Sequence, residues 1–179
     1  MPRFWPTAAR ILRPGGSVAL WCPNASNIHH SVPNAVAIND ALRRIEEEEL
    51  LQFFEPGNLL TRDLYLRIGL PWTVDPPVPE FDEGAFFRKE WGTEGNEDTS
   101  IYEKDQVIID METLEKVLST SSPVARWREA HPEAVGTDKD VVRRMRREIE
   151  SLLHEVGVEE GQEKLRGGVL GVLLMFKRV

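Results

Sequence analysis

The stretch that decides the fold is Ile11–Trp21, "ILRPGGSVALW". It reads as the end of a helix, a two-glycine turn and the start of an apolar strand. Pro6 suits the first turn of a helix, where a missing N–H costs nothing. Ala8, Ala9, Ile11 and Leu12 give that helix one apolar side, and Arg10 and Arg13 suit its C-terminal dipole. Pro14-Gly15-Gly16 stops it, with a glycine free to take positive φ. In the strand 17–22, Val18 and Leu20 point one way, and Ala19 and Trp21 the other. Two apolar faces predict a strand buried between helix layers in a parallel sheet, with neighbours on both edges.

The rest of the chain supplies few further strands. Residues 23–33 read as a loop leaving the strand's carboxyl end, where ligands bind in open α/β sheets. Residues 34–54 read as one long helix. A shorter helix follows Pro56-Gly57 over 59–68, then a proline-rich extended stretch. Strands are predicted at 85–91, 107–109 and 169–176. Helices are predicted from the cap Asp110 to Leu118, from Ser122-Pro123 to Trp127, and from Asp138 to Val156. The last carries the stripe Val141, Val142, Met145, Ile149, Leu152, Leu153 and Val156, with Gly157 as its stop. Only ten residues precede Ile11, so a sheet built from these strands leaves the edge along 17–22 uncovered. Each apolar side chain left exposed there forgoes roughly 1.5–3 kcal/mol. The expectation is half of a broader sheet whose opening strands lie outside this sequence.

Composition narrows the function classes. The chain has 179 residues, 41% of them hydrophobic, and a formal charge of -8. That is enough apolar content for a core and too acidic a balance for nucleic acid or an anionic membrane as main partner. The single cysteine, Cys22, excludes an internal disulfide. With no recognisable signal peptide, it fits a reducing cytosol. The apolar run 169–176 is too short to cross a bilayer as a helix.

The segment "FWPTAARILRPGGSVALW" resembles the late part of class I S-adenosylmethionine-dependent methyltransferases. There a helix, an Arg-x-Leu-x-Pro-Gly-Gly loop and the fifth strand follow in this order, matched here by Arg10, Leu12, Pro14, Gly15, Gly16 and the strand to Trp21. The remainder is similar to the trans-aconitate methyltransferase-like branch of small-molecule enzymes, including fungal relatives. Thr120, Ser122 and Trp127 fit its Thr-x-Ser stretch with a following Trp, and Lys177-Arg178-Val179 fit its terminus. Little matches over 71–100, and Ser121 and Val124 stand where those relatives often carry aromatics. The resemblance implies an α/β chain with a partial Rossmann-like fold: strands five to seven with a helical substrate-side insertion, the first four strands absent. It divides the chain into helix and fifth strand (1–22), insertion (23–84) and remaining strands and helices (85–179). It also implies S-adenosylmethionine as cofactor and a small-molecule methyl acceptor, with a carboxylic acid as one candidate. The family's glycine-rich cofactor loop has no counterpart, because no Gly-x-Gly-x-Gly occurs here. Productive cofactor binding by this chain alone is therefore not expected, and the chain reads as truncated and inactive by itself. The alternatives are a non-catalytic partner subunit lending its sheet edge to another protein, and an unrelated α+β binding module.

Candidate substrate contacts are Trp21, Thr120, Ser121, Ser122 and Trp127. Trp21 and Trp127 could equally be core aromatics, and the hydroxyls could equally cap a helix at Pro123. His29-His30 are adjacent and without a third ligand at zinc spacing. Glu46–Glu49 and Arg143–Arg147 read as solvated helix faces. No catalytic residue, cofactor contact or metal ligand is assigned. In this family the sulfonium is already activated, and the protein mainly aligns the acceptor and excludes water.

Overall fold

The computed structural model describes residues 3–24, 28–92, 108–167 and 170–179. It is mixed α/β, with six α-helices and two small antiparallel sheets among the described residues. The chain divides into two compact units.

The first unit takes in residues 1–24, 60–98 and 170–179. Helix α1 (Phe4–Ile11) buries Trp5, Ala8 and Ala9. Gly15 takes φ +77°, and a Cβ on Gly16 would stand 2.9 Å from the Arg13 carbonyl oxygen. Strand β1 (Ser17–Asn24) follows. It pairs with the last strand, β5 (Leu170–Arg178), which also pairs with β2 (Phe81–Trp91), giving the order β1-β5-β2. The turn and the C-terminus hold one another. Gly15 N–H donates to Arg178 O at 2.9 Å, Arg178 N–H donates to Gly16 O at 2.8 Å, and the Arg178 guanidinium donates to Leu12 O.

The expected parallel sheet is corrected here. Both pairings are antiparallel, so β1 and β2 run the same way with β5 running back between them. Side-chain alternation marks which strands are buried and carries no information on direction, which is why the sequence misled. The expectation of two buried faces on β1 is corrected too. Val18, Leu20 and Cys22 face the core, whereas Ser17, Ala19 and Trp21 are exposed. On the covered face, Trp5 meets Phe176 and Phe81 edge-on at 4.5 and 5.4 Å, and its indole N–H donates to Gly69 O at 2.6 Å.

The second unit takes in residues 25–59 and 99–169. The expected helix over 34–54 breaks into three pieces: α2 (Ala35–Ile45), a π-helical turn (Glu46–Leu50) and a 3₁₀ turn (Leu51–Phe53). Ile38, Ala41 and Ile45 follow α-helical spacing into the core, but Leu50 stands five residues after Ile45. The wider π turn absorbs the extra residue, so that Leu50 is buried too. Helix α3 (Pro56–Arg62) comes earlier and is shorter than expected. Asp110 caps α4 (Met111–Ser119) as expected, accepting the Thr113 N–H at 2.8 Å. Helix α5 (Ser122–Ala130) runs past Trp127. Helix α6 (Val141–His154) buries Val141, Val142, Met145, Ile149 and Leu153, while Val156 lies beyond its end and is exposed. A strand that the sequence did not announce, β4 (Lys164–Arg166), pairs antiparallel with β3 (Ile108–Asp110). Its three residues alternate too briefly to signal a strand.

Candidate functional site

Two places gather the chemistry-bearing residues, one in each unit. The first is the carboxyl end of β1. Cys22 is buried there, its thiol donating to Thr61 O at 3.6 Å, and burial pushes its pKa up. Tyr65 is also raised, by burial and then by Cys22. Both groups therefore stay neutral at physiological pH, which excludes a resting thiolate nucleophile.

The segment that brings Tyr65 there has an unusual backbone. Leu64 and Tyr65 take φ +49° and +59°, a region where bulky side chains are strained. The bonds Leu64 N–H to Thr61 O (3.0 Å) and Tyr65 N–H to Leu60 O (2.8 Å) form a Schellman closure of α3. Leucine holds the place where glycine is usual because its side chain is buried in the core. The Arg88 guanidinium secures the turn by donating to Leu64 O at 2.9 Å, and Glu90 in turn accepts from Arg88 Nε at 2.8 Å. Trp21, on the same strand end as Cys22, is 54% exposed.

The second place is the junction around the N-terminus of α5, in the helical unit, where four of the five candidate contacts lie. Thr120 Oγ1 donates back to Val117 O at 2.7 Å, closing α4. Ser121 is the N-cap residue of α5 but makes no side-chain cap bond. Ser122 Oγ accepts from Asn58 Nδ2 at 3.1 Å and from Arg126 Nη2 at 3.4 Å. Arg126 also donates to Phe53 O and to Asn58 Oδ1, each at 2.7 Å. Asn58 Oδ1 meanwhile accepts Glu55 N–H at 2.9 Å, half of a capping box for α3. Trp127 is buried and stacks on His131 at 4.3 Å. Thr120, Ser122 and Trp127 thus each have a capping or packing partner inside the unit. Trp21 belongs to the other unit.

The sequence reading missed Asp140, the one buried charged residue among those described. It caps α6 by accepting Val142 N–H at 3.0 Å and takes Gly136 N–H at 3.2 Å. The Arg128 guanidinium grips both its oxygens, at 3.0 and 3.1 Å. Burial raises its pKa, but the hydrogen bonds from Arg128, Gly136 and Val142 outweigh burial and the net shift is downward. The signal available in the sequence was an Asp one residue ahead of the Val141-Val142 pair, whereas the expected helix starts at Asp138.

Several other charged groups pair with one another. A cleft of 280 Å³ is lined by Arg44, Ile45, Glu49, Arg144, Arg147 and Glu148. Arg44 pairs with Glu148 at 2.8 Å, Arg144 with Glu49, and Arg147 with Asp138 at 3.3 Å. Nδ1 of His29 takes Ser31 N–H at 3.1 Å, and burial, then His30 and Arg166, lower the His29 pKa. No described helix is long and apolar enough to cross a membrane.

The described glycine turns are engaged within the fold. The N–H groups of Gly15 and Gly16 are taken by Arg178 O and Arg13 O, and the turn leads into a strand, so no helix N-terminus is offered. Gly167 bridges Ile28. Set against known proteins, the chain matches no family model and no curated protein.

Proposed function

We propose that this chain is the substrate-side part of a class I S-adenosylmethionine-dependent methyltransferase acting on a small molecule, with a carboxylic acid as the acceptor class. The observation that supports it is the unit α1–Pro-Gly-Gly–β1 lying in one sheet with two later strands. The resemblance implies three strands in this part of the chain, at these places in the sequence. Mixed sheets are common among α/β folds, though the antiparallel strand here, β5, is central and not at an edge.

On this reading the chain's own residues position and shield rather than react. Tyr65, packed with Cys22 on the covered face, stands toward the carboxyl end of β1, where α/β sheets bind ligands, and Trp21 lies on the opposite, open face. The Arg88–Glu90 pair fixes the turn that carries Tyr65. Aligning the acceptor and excluding water are worth several powers of ten in rate without a catalytic side chain. No Gly-x-Gly-x-Gly occurs in the sequence, so cofactor binding is not assigned to residues of this chain. The lone buried thiol of Cys22 supports a cytosolic setting.

The test uses the native product. Antibody raised against the chain recovers it from its host, and radiolabelled S-adenosylmethionine is photo-crosslinked to the recovered material. Label on a species heavier than the 20.4 kDa of this chain is expected. Recovery of a monomer of 20.4 kDa that takes no label would sink the proposal. The exposed apolar sheet face favours the second reading, a non-catalytic partner subunit. That reading expects an unlabelled chain in a stable hetero-oligomer.

A further inference from the structure

Leu64 and Tyr65 carry a left-handed backbone, at φ +49° and +59°. Glycine would make this turn without strain, whereas a large side chain is strained there. Burial offsets the strain at Leu64, which is 8% exposed. Tyr65 is only half-buried. Its ring packs against the cluster that holds Cys22, Leu64 and Ile68, a contact that phenylalanine would make equally well. Packing therefore accounts for the ring and not for the hydroxyl. Among the described residues Tyr65 makes hydrogen bonds only through its backbone, from its N–H to Leu60 O at 2.8 Å and from Ile68 N–H to its carbonyl at 3.2 Å.

The turn that carries this hydroxyl is held from three parts of the chain. Arg88 of β2 donates to Leu64 O at 2.9 Å, and Glu90 fixes the same guanidinium through Nε at 2.8 Å. Cys22 of β1 donates to Thr61 O at 3.6 Å, in the helix end that the turn closes. The place lies toward the carboxyl end of β1, where α/β sheets bind ligands. Buried tyrosine hydroxyls ordinarily find a partner. This one is desolvated enough to raise its pKa, and yet it has no partner inside the unit. A preorganised, unpaired hydroxyl at the ligand end of a sheet is suited to touch a substrate.

We propose that the Tyr65 hydroxyl orients the methyl acceptor by donating a hydrogen bond to one oxygen of the acceptor's carboxylate, a role that rests on the methyltransferase reading. The carboxylate class fits what surrounds the hydroxyl. Cys22 and Tyr65 both stay neutral, so neither takes a proton from the acceptor. An alcohol would need such a base, whereas a carboxylate is already ionised at neutral pH. The guanidiniums of Arg88 and Arg67 are engaged by Glu90 and Asp63. A neutral donor orients the carboxylate through one oxygen and leaves the other free, where a guanidinium fork would hold both.

The chain has two tyrosines, Tyr65 and Tyr102. Isotopic labelling of tyrosine at Cζ therefore gives two NMR resonances in the full chain, and Tyr65→Phe assigns them. The probes are butyrate, benzoate and tricarballylate, each beside its uncharged amide. At least one carboxylate is expected to shift the Tyr65 resonance saturably. It should bind at least tenfold more weakly to Tyr65→Phe, and its amide at least tenfold more weakly to the unmodified chain. Fluorotyrosine in place of tyrosine, a more acidic phenol of nearly the same size, should tighten that binding below its own pKa. No shift of the Tyr65 resonance with any of the carboxylates would overturn the inference. So would equal affinity in Tyr65→Phe with its urea midpoint unchanged, or weaker binding to the fluorinated chain. Cofactor capture by the native species keeps the two proposals apart. Carboxylate binding at Tyr65 without capture removes only the methyltransferase reading, and capture without carboxylate binding removes only this one.

Discussion

The two units close their cores in opposite ways. In the helical unit, Ile38, Val141, Val142 and Ile149 are fully buried, and the buried Asp140 has four donors. Surface arginines of α6 meet carboxylates on their own and on a neighbouring helix, as Arg146 meets Glu150 of α6 and Glu115 of α4. In the sheet unit, one face is packed with Trp5, Phe81 and Phe176, while the other presents Trp21, Phe87 and Met175 to solvent. The sheet unit carries apolar surface of the kind that marks an interaction site.

Breaking the covered face tests this contrast most severely. Trp5→Ala removes a fully buried indole from an aromatic cluster, and a loss of about 3–5 kcal/mol in urea unfolding is expected. Arg128→Met, in the helical unit, leaves the Asp140 carboxylate buried without its cation, and about 3 kcal/mol is expected by the same measurement. The pH dependence follows from the same pair. The folded pKa of Asp140 lies below its unfolded value of about 3.9, so the carboxylate's contribution is full above that value and is lost as pH falls through the folded one. Asp140→Asn should therefore flatten the acid limb of a stability–pH curve. An unchanged limb would show that other carboxylates govern acid unfolding.

Smaller effects sharpen the comparison. Gly15→Ala forces a side chain into positive φ at the turn before β1 and should cost about 1 kcal/mol. Trp21→Lys should change stability by no more than about 0.5 kcal/mol, since the indole is more than half exposed. It should nevertheless lower binding of an apolar dye and self-association of the isolated chain in sedimentation velocity. If Trp21→Lys instead costs as much as Trp5→Ala, the two sheet faces are equivalent and the contrast is wrong.

Much of the local structure was legible. The turn at Gly15-Gly16, the Asp110 cap, the stripe of α6 and its stop at Gly157 each depend on neighbours a few residues away. The candidate contacts were legible only as residue types. Nothing local shows that Ser122 is bound to Asn58 and Arg126, because Asn58 lies 64 residues away and the network forms only when the unit closes. Asp140 was passed over for a similar reason: its partner Arg128 lies on a different helix.

By itself the sequence determined where most of the helices and the longer strands form, since those follow from turn chemistry and side-chain periodicity over short spans. Only the tertiary structure decided that β5 runs antiparallel between β1 and β2, and that one face of β1 stays open. Strand direction and burial depend on partners distant in the chain, and alternation along a single strand is the same for either direction and for either face.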